Sequence, residues 1–159
     1  LVLARLLAKV VAWDVSRHYA RPSTYPAQAR RGPVVLVANE YSGSDGDIIN
    51  AAAQEVGLGP VVGVRTWGGV VGIDGRFTLV DGTSVTQPRY AFSFHGKGFG
   101  VENHGVDPDI EVIHSPADFG AGEDRQLDRA IAEAFAALER RPALEPPGLP
   151  EPRVRAGEG

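Results

Sequence analysis

Val34-Val35-Leu36-Val37-Ala38-Asn39-Glu40-Tyr41-Ser42-Gly43-Ser44-Asp45-Gly46-Asp47-Ile48-Ile49 is the stretch that decides the fold class. Its first five residues are a continuous apolar run of strand length, the pattern of a strand buried on both faces. Asn39 to Gly43 reads as a polar turn. Asp45 to Val56 then reads as a helix, with Ile48, Ile49, Ala52, Ala53 and Val56 on one face. Gly57 follows in the position that favours a left-handed cap. Val61 to Val64 is the next strand. Strand, helix and strand within about thirty residues make a βαβ unit, so the expected class is α/β.

Outward from this unit the pattern weakens. Residues 2–13 predict a helix, with Leu3, Leu6, Leu7, Val10 and Val11 at helical spacing. Residues 14–33 hold Pro22, Pro26, Gly32 and Pro33 and read as a loop. Downstream the chain becomes β-rich, with strands expected at Arg76–Val80, Ala91–Phe94 and Ile110–Ile113. A second helix is expected over Asp124–Arg140, with Leu127, Ile131, Ala134, Phe135 and Leu138 on one face. Beyond Arg141 the chain is Pro-rich. The expected organisation is one domain over 1–141 and a flexible tail over 142–159.

Composition narrows the function classes. The 159 residues are 43% hydrophobic, enough for a core. Sixteen basic and twenty acidic residues give a formal charge of −4 with no basic stripe, so no nucleic-acid partner is expected. No apolar run approaches the roughly 18 residues of a membrane span, and no membrane partner is expected. There is no cysteine, so a thiol nucleophile and a cysteine–zinc site are excluded. The chain starts at Leu1 and contains no methionine, which suggests a piece of a longer protein.

The turn between the first strand and the helix carries the chemistry. Ser44 stands at a helix N-terminus, where free N–H groups and the positive end of the helix dipole converge. The N–H of Asp45 is placed to bind a developing oxyanion, and Gly43 and Gly46 let a substrate carbonyl come close to the backbone. Serine is also a preferred N-cap, which would explain Ser44 with no catalysis. Asp45 and Asp47 together suggest a metal, but the other spaced oxygen ligands of a calcium loop are missing, so no metal is expected.

Four ordered blocks resemble the catalytic core of tricorn-type serine peptidases, relatives of the C-terminal-processing peptidases. They are Asn39–Asp47, Val64-Arg65-Thr66-Trp67-Gly68-Gly69-Val70-Val71-Gly72-Ile73, Gly100–Val112 and Asp124–Ile131, spanning about residues 10 to 140. The resemblance implies a crotonase/ClpP-like β/α superhelix, of which this chain would be a C-terminal portion. Ser44 matches the nucleophile and Asp45 the residue whose N–H forms half of the oxyanion hole. Glu102, 58 residues after Ser44, matches the acidic member of a Ser-His-Ser-Glu tetrad. In that tetrad the glutamate works through a second serine that orients the histidine. Asp14 resembles an acidic residue that the family donates across a subunit contact to bind the substrate's basic P1 side chain, which implies a homo-oligomer. The family's histidine, second serine and other oxyanion glycine lie upstream of the nucleophile and would fall before Leu1. Upstream segments of a parent chain are therefore expected partners, and the isolated chain is expected to be inactive. The implied substrate is a peptide or unfolded polypeptide, in the cytoplasm, with no cofactor.

Of the remaining candidates, His104 shares a strand face with Glu102 if that segment is extended. His95 reads as a hairpin tip, and His18 lies in a loop near Asp14. The glycine-rich run Arg65–Gly69 offers backbone to an extended peptide, with Thr66, Trp67 and Gly68 as substrate-binding residues and Trp67 as a pocket wall or a core residue. The competing function is a non-catalytic ligand- or peptide-binding module on the same fold.

Overall fold

In the computed structural model, which describes residues 2–149, the elements in chain order are α1 (Val2–Leu7), β1 (Ala12–Asp14), β2 (Ser23–Tyr25), β3 (Leu36–Ala38), α2 (Asp45–Glu55), β4 (Val61–Gly63), β5 (Gly72–Thr78), β6 (Ser84–Tyr90), β7 (Ile110–Glu111), α3 (Pro116–Ala121) and α4 (Arg125–Arg140). They divide into two units, one of residues 33–142 and one made from both ends of the chain.

The larger unit is built on the expected βαβ arrangement. β3, β4 and β7 form a parallel sheet in the order β3-β4-β7, with Leu36 opposite Val61 and Val62 opposite Ile110. α2 lies against β3, and α4 against β3 and β4. Gly57 takes the left-handed conformation expected of it, with φ 60°. The core gathers Ala51 of α2 with Val70, Val101 and Val106, and Ile48 and Phe94 pack on it.

Burial departs from expectation at β3. The apolar run predicts a strand enclosed on both faces, yet Val37 is 47% exposed and only Ala38 is buried. β4 is the enclosed strand, with all three residues buried. The reason is position: β4 is central, and β3 is an edge strand. α4 shows the same incompleteness, since it buries Gln126 and Ala130 while Leu127, Ile131 and Phe135 remain exposed.

The expected strands at Arg76–Val80 and Ala91–Phe94 are displaced. β5 and β6 form one antiparallel hairpin whose turn is Asp81-Gly82, closed by Leu79 N–H donating to the Thr83 carbonyl. Gly82 has φ 86°, so that dipeptide is the turn signal. α3 was not expected, although Ser115-Pro116-Ala117-Asp118 carries a full capping box with proline in the first turn. His95 does sit in a tight turn, where Phe94 and Gly98 exchange two main-chain bonds of 2.8 and 2.7 Å.

In the smaller unit the expected helix over 2–13 stops at Leu7. The chain turns to form β1, which pairs antiparallel with β2, a strand inside the expected loop. Pairing across the sheet outweighs the helical spacing of β-branched Val10 and Val11. Arg31 lies over the Trp13 ring at 5.3 Å. Leu144, within the expected tail, donates its N–H to the Arg31 carbonyl at 2.8 Å and accepts from Arg31 Nε at 2.6 Å. Residues 150–159 of that tail lie outside the described residues.

Gly63 shows why the sheet closes as it does. It has φ 134°, and a Cβ there would stand 1.9 Å from the Ala38 carbonyl oxygen. Gly63→Ala is expected to destabilise the fold by about 2 kcal/mol or more, read from denaturant unfolding.

Candidate active site

The site begins with backbone conformation. β3 ends at Ala38, and the chain crosses Asn39–Gly43 to enter α2 at Asp45. Ser42 steadies this turn, its Oγ accepting from Asn39 N–H at 3.1 Å and its N–H donating to the Asn39 carbonyl at 2.9 Å. Ser44 is the N-cap of α2 but does not cap it: its side chain makes no capping hydrogen bond. It has φ 54° and ψ −112°, a conformation that costs a non-glycine residue about 1–3 kcal/mol. A serine held there, exposed and with its hydroxyl unspent, fits a sharp strand-to-helix elbow better than a plain cap. Asp45 opens the helix, so its N–H has no intrahelical acceptor.

Ser44 faces a cleft of about 420 Å³ whose lining includes Trp67, Gly68, Gly69, Glu102 and Asn103. Trp67 is 69% exposed, so it forms a wall and is not a core residue. It lies against the α-carbons of Gly43 and Gly69: a Cβ at either would meet ring atoms at 2.6 and 2.4 Å. Trp67 N–H donates to the Ser42 carbonyl at 3.0 Å, tying wall to elbow. Glu102 Oε2 accepts from Val70 N–H at 2.8 Å and Val71 N–H at 2.7 Å.

Asp47 is fully buried. It accepts from the Thr66 hydroxyl, from Gly68 N–H at 2.9 Å and from Gly69 N–H at 3.2 Å. Sequence reasoning considered Asp47 only as a metal ligand and missed this role. A signal was present: Asp47 and Ala51 are one helical turn apart, so the carboxylate falls on the buried face. Among the described residues no group of three or more His, Cys, Asp or Glu could hold a metal.

Thr66, expected beside substrate, is buried at 3% exposure with its hydroxyl bound to Asp47 and Val106 N–H. In the run Arg65–Gly69, expected to offer its backbone to an added strand, four main-chain donors have partners within the chain. Thr66 N–H goes to the Val106 carbonyl, Trp67 N–H to Ser42, and the Gly68 and Gly69 N–H groups to Asp47.

Ser44, Gly43, Trp67, Gly68 and Glu102 thus come together, while Asp14 ends β1 in the smaller unit, exposed and in register with Ser23. No histidine is among the residues lining the cleft. His104 pairs with Asp107 at 2.9 Å and not with Glu102, and His114 stacks on Phe119 at 4.0 Å. A larger concavity of about 670 Å³, lined by Glu40, Tyr41, Arg65 and Asp107, contains no serine. Among the described residues no helix is long and apolar enough to cross a membrane.

The site is thus an uncapped serine on a strained elbow, facing a cleft that an anchored carboxylate also lines. Residues 4–112 match Peptidase family S41, and the chain belongs to that family. It is 63% identical over 150 residues to "Tricorn protease homolog 1" of Streptomyces coelicolor, covering 94% of this chain and 14% of that protein. It is 47% identical over 131 residues to "Tricorn protease" of Thermoplasma acidophilum, covering 82% of this chain and 12% of that one. The solved structure described as "Crystal structure of the tricorn protease" superposes with a TM-score of 0.82 at 45% identity, covering 87% of this chain and 13% of that one. The chain therefore spans about one eighth to one seventh of these relatives' length.

Two measurements follow from this geometry. Gly43→Ala is expected to displace the Trp67 ring from the elbow at a cost of about 1–3 kcal/mol, read from denaturant unfolding together with a changed Trp67 emission in a Trp13→Phe background. Asp107 is held below the usual carboxylate range, first by its hydrogen bond to His104 and then by Arg65. A lowered carboxyl contributes its stabilisation above the unfolded value of about 3.9 and loses it as pH falls through the lower folded value. NMR titration is expected to find Asp107 titrating below ordinary aspartates, and His104→Ala to raise it toward them.

Proposed function

We propose that this chain is the nucleophile-bearing part of a serine peptidase that hydrolyses peptides or unfolded polypeptide through an acyl-enzyme on Ser44. The observation that carries the reading is the exposed, uncapped Ser44 at φ 54°, facing a cleft that also holds Glu102. Ser44 Oγ attacks the scissile carbonyl carbon. Its proton passes to a histidine from a segment outside this chain, which returns it to the leaving amine, and water then releases the acyl group. The Asp45 N–H binds the oxyanion, a donor worth about 3–4 kcal/mol in serine hydrolases. Glu102, fixed by two N–H groups, holds a second serine that orients the histidine. Trp67 and Gly68 wall the bound peptide, Gly43 admits the carbonyl, and Asp14 of a neighbouring copy receives the substrate's basic P1 side chain.

Several features support a larger whole. β3 leaves a sheet edge open, and α4 leaves Leu127, Ile131 and Phe135 uncovered. In this reading the rest of a crotonase/ClpP-like catalytic domain completes both, within a cytoplasmic homo-oligomer. The competing reading, a non-catalytic binding module, draws on one observation: no histidine lines the cleft.

One experiment separates the two. The natural full-length protein is treated with a fluorophosphonate probe, and peptide turnover is measured in parallel. Labelling and turnover are expected to vanish with Ser44→Ala, and turnover with Glu102→Gln to fall about 100-fold or more. Labelling that survives Ser44→Ala, or its complete absence in the wild type, would leave the binding module.

A further inference from the structure

We propose that Asp47 is a positioning residue for peptide recognition: its buried carboxylate fixes the Trp67–Gly69 wall of the cleft against α2. The inference rests on the peptidase reading above and adds to it a residue that governs how peptide is held, distinct from the residues that attack it.

Three bonds define the arrangement. Asp47 lies in the first turn of α2, three residues after Ser44, with no exposed surface. Its Oδ1 accepts from the Thr66 hydroxyl and from Gly68 N–H at 2.9 Å, and its Oδ2 accepts from Gly69 N–H at 3.2 Å. Thr66 Oγ1 also accepts from Val106 N–H at 2.8 Å, so the one hydroxyl links Asp47 to the 101–106 turn.

The wall has no slack behind it. A Cβ on Gly68 would stand 2.5 Å from Gly105 N, and Gly68 itself has φ 88°. The Gly68 carbonyl is also fixed, accepting from Asn103 N–H at 2.8 Å. The wall is thus pinned from one side by the 103–105 backbone and from the other by Asp47. A buried carboxylate without a cation is costly to desolvate, and these neutral donors together with the helix N-terminus are what offset that cost. A group kept at such expense one turn from the nucleophile sets geometry there, because a displacement near 1 Å in a peptide cleft costs about 100-fold in productive binding.

Asparagine discriminates sharply. Its shape matches, but it has one acceptor oxygen, and its NH2 would confront an N–H of Gly68 or Gly69. The wall then loosens while Ser44, its elbow and the Asp45 N–H stay in place. In the natural full-length protein, Asp47→Asn is expected to lower kcat/KM for a fluorogenic peptide by about 10- to 100-fold, chiefly through KM. The rate of fluorophosphonate labelling at Ser44 is expected to fall by less than about threefold, because the small probe reads the nucleophile and not the wall. Thr66→Val is expected to reproduce the split, and Thr66→Ser to restore most of the peptide KM. If Asp47→Asn does not fold, the Thr66 pair decides by the same criterion. Peptide turnover and labelling falling together, or neither falling, would overturn the assignment. Absence of Ser44 labelling in the wild type would instead overturn the peptidase reading itself.

Discussion

Six successive main-chain N–H groups, from Thr66 to Val71, have to be satisfied where the chain passes the cleft, and two carboxylates take four of them. Asp47 takes Gly68 and Gly69, and Glu102 takes Val70 and Val71. The carbonyls of Val106 and Ser42 take the other two. Unpaired buried N–H groups cost roughly 1–3 kcal/mol each, so this segment has one arrangement that satisfies it. The wall and the 101–106 turn are held by that single solution, while the elbow has bonds of its own through Asn39, Ser42 and Gly43. Glu102 consequently has structural work beyond any part in a proton relay, and losing it would disturb the wall as well as the chemistry.

Rigidity behind the cleft is what makes a strained residue in front of it possible. Ser44 has no glycine's freedom, yet it stands at φ 54°. Strain of that kind persists where the surroundings over-determine it. Here the helix ladder begins at the Ser44 carbonyl, which accepts from Ile48 N–H at 3.0 Å, and Gly46 N–H closes on the Gly43 carbonyl at 2.8 Å. The hydroxyl contributes nothing to this network. Its exclusion from local bonding is the clearest physical reason to regard it as held in reserve for a ligand.

What the sequence made legible was local. The βαβ unit, the glycine cap after α2 and the Ser44 elbow are all written within one continuous stretch of about thirty residues, where periodicity and turn chemistry operate. The β5–β6 hairpin was misplaced because the Asp81-Gly82 signal was overlooked, and α3 because its capping box was. The burial of β3 could not be read, since an apolar run is the same whether the strand is central or at an edge. Thr66 is a different case. Its polar side chain in a glycine-rich run suggested a substrate contact, but its hydroxyl bridges a helix 19 positions earlier and a strap 40 positions later. Such long-range partners leave no pattern in the chain. Asp47 sat in plain view on a helix's inner face and was read only for its charge.

The open side of β3 carries a cost of its own. Leu36 to Ala38 present apolar side chains beside main-chain groups with no neighbouring strand on that side among the described residues. Such an edge is a template for any extended segment, including the same segment of another molecule. Made alone at high concentration, the chain would therefore be prone to self-templated aggregation through this edge.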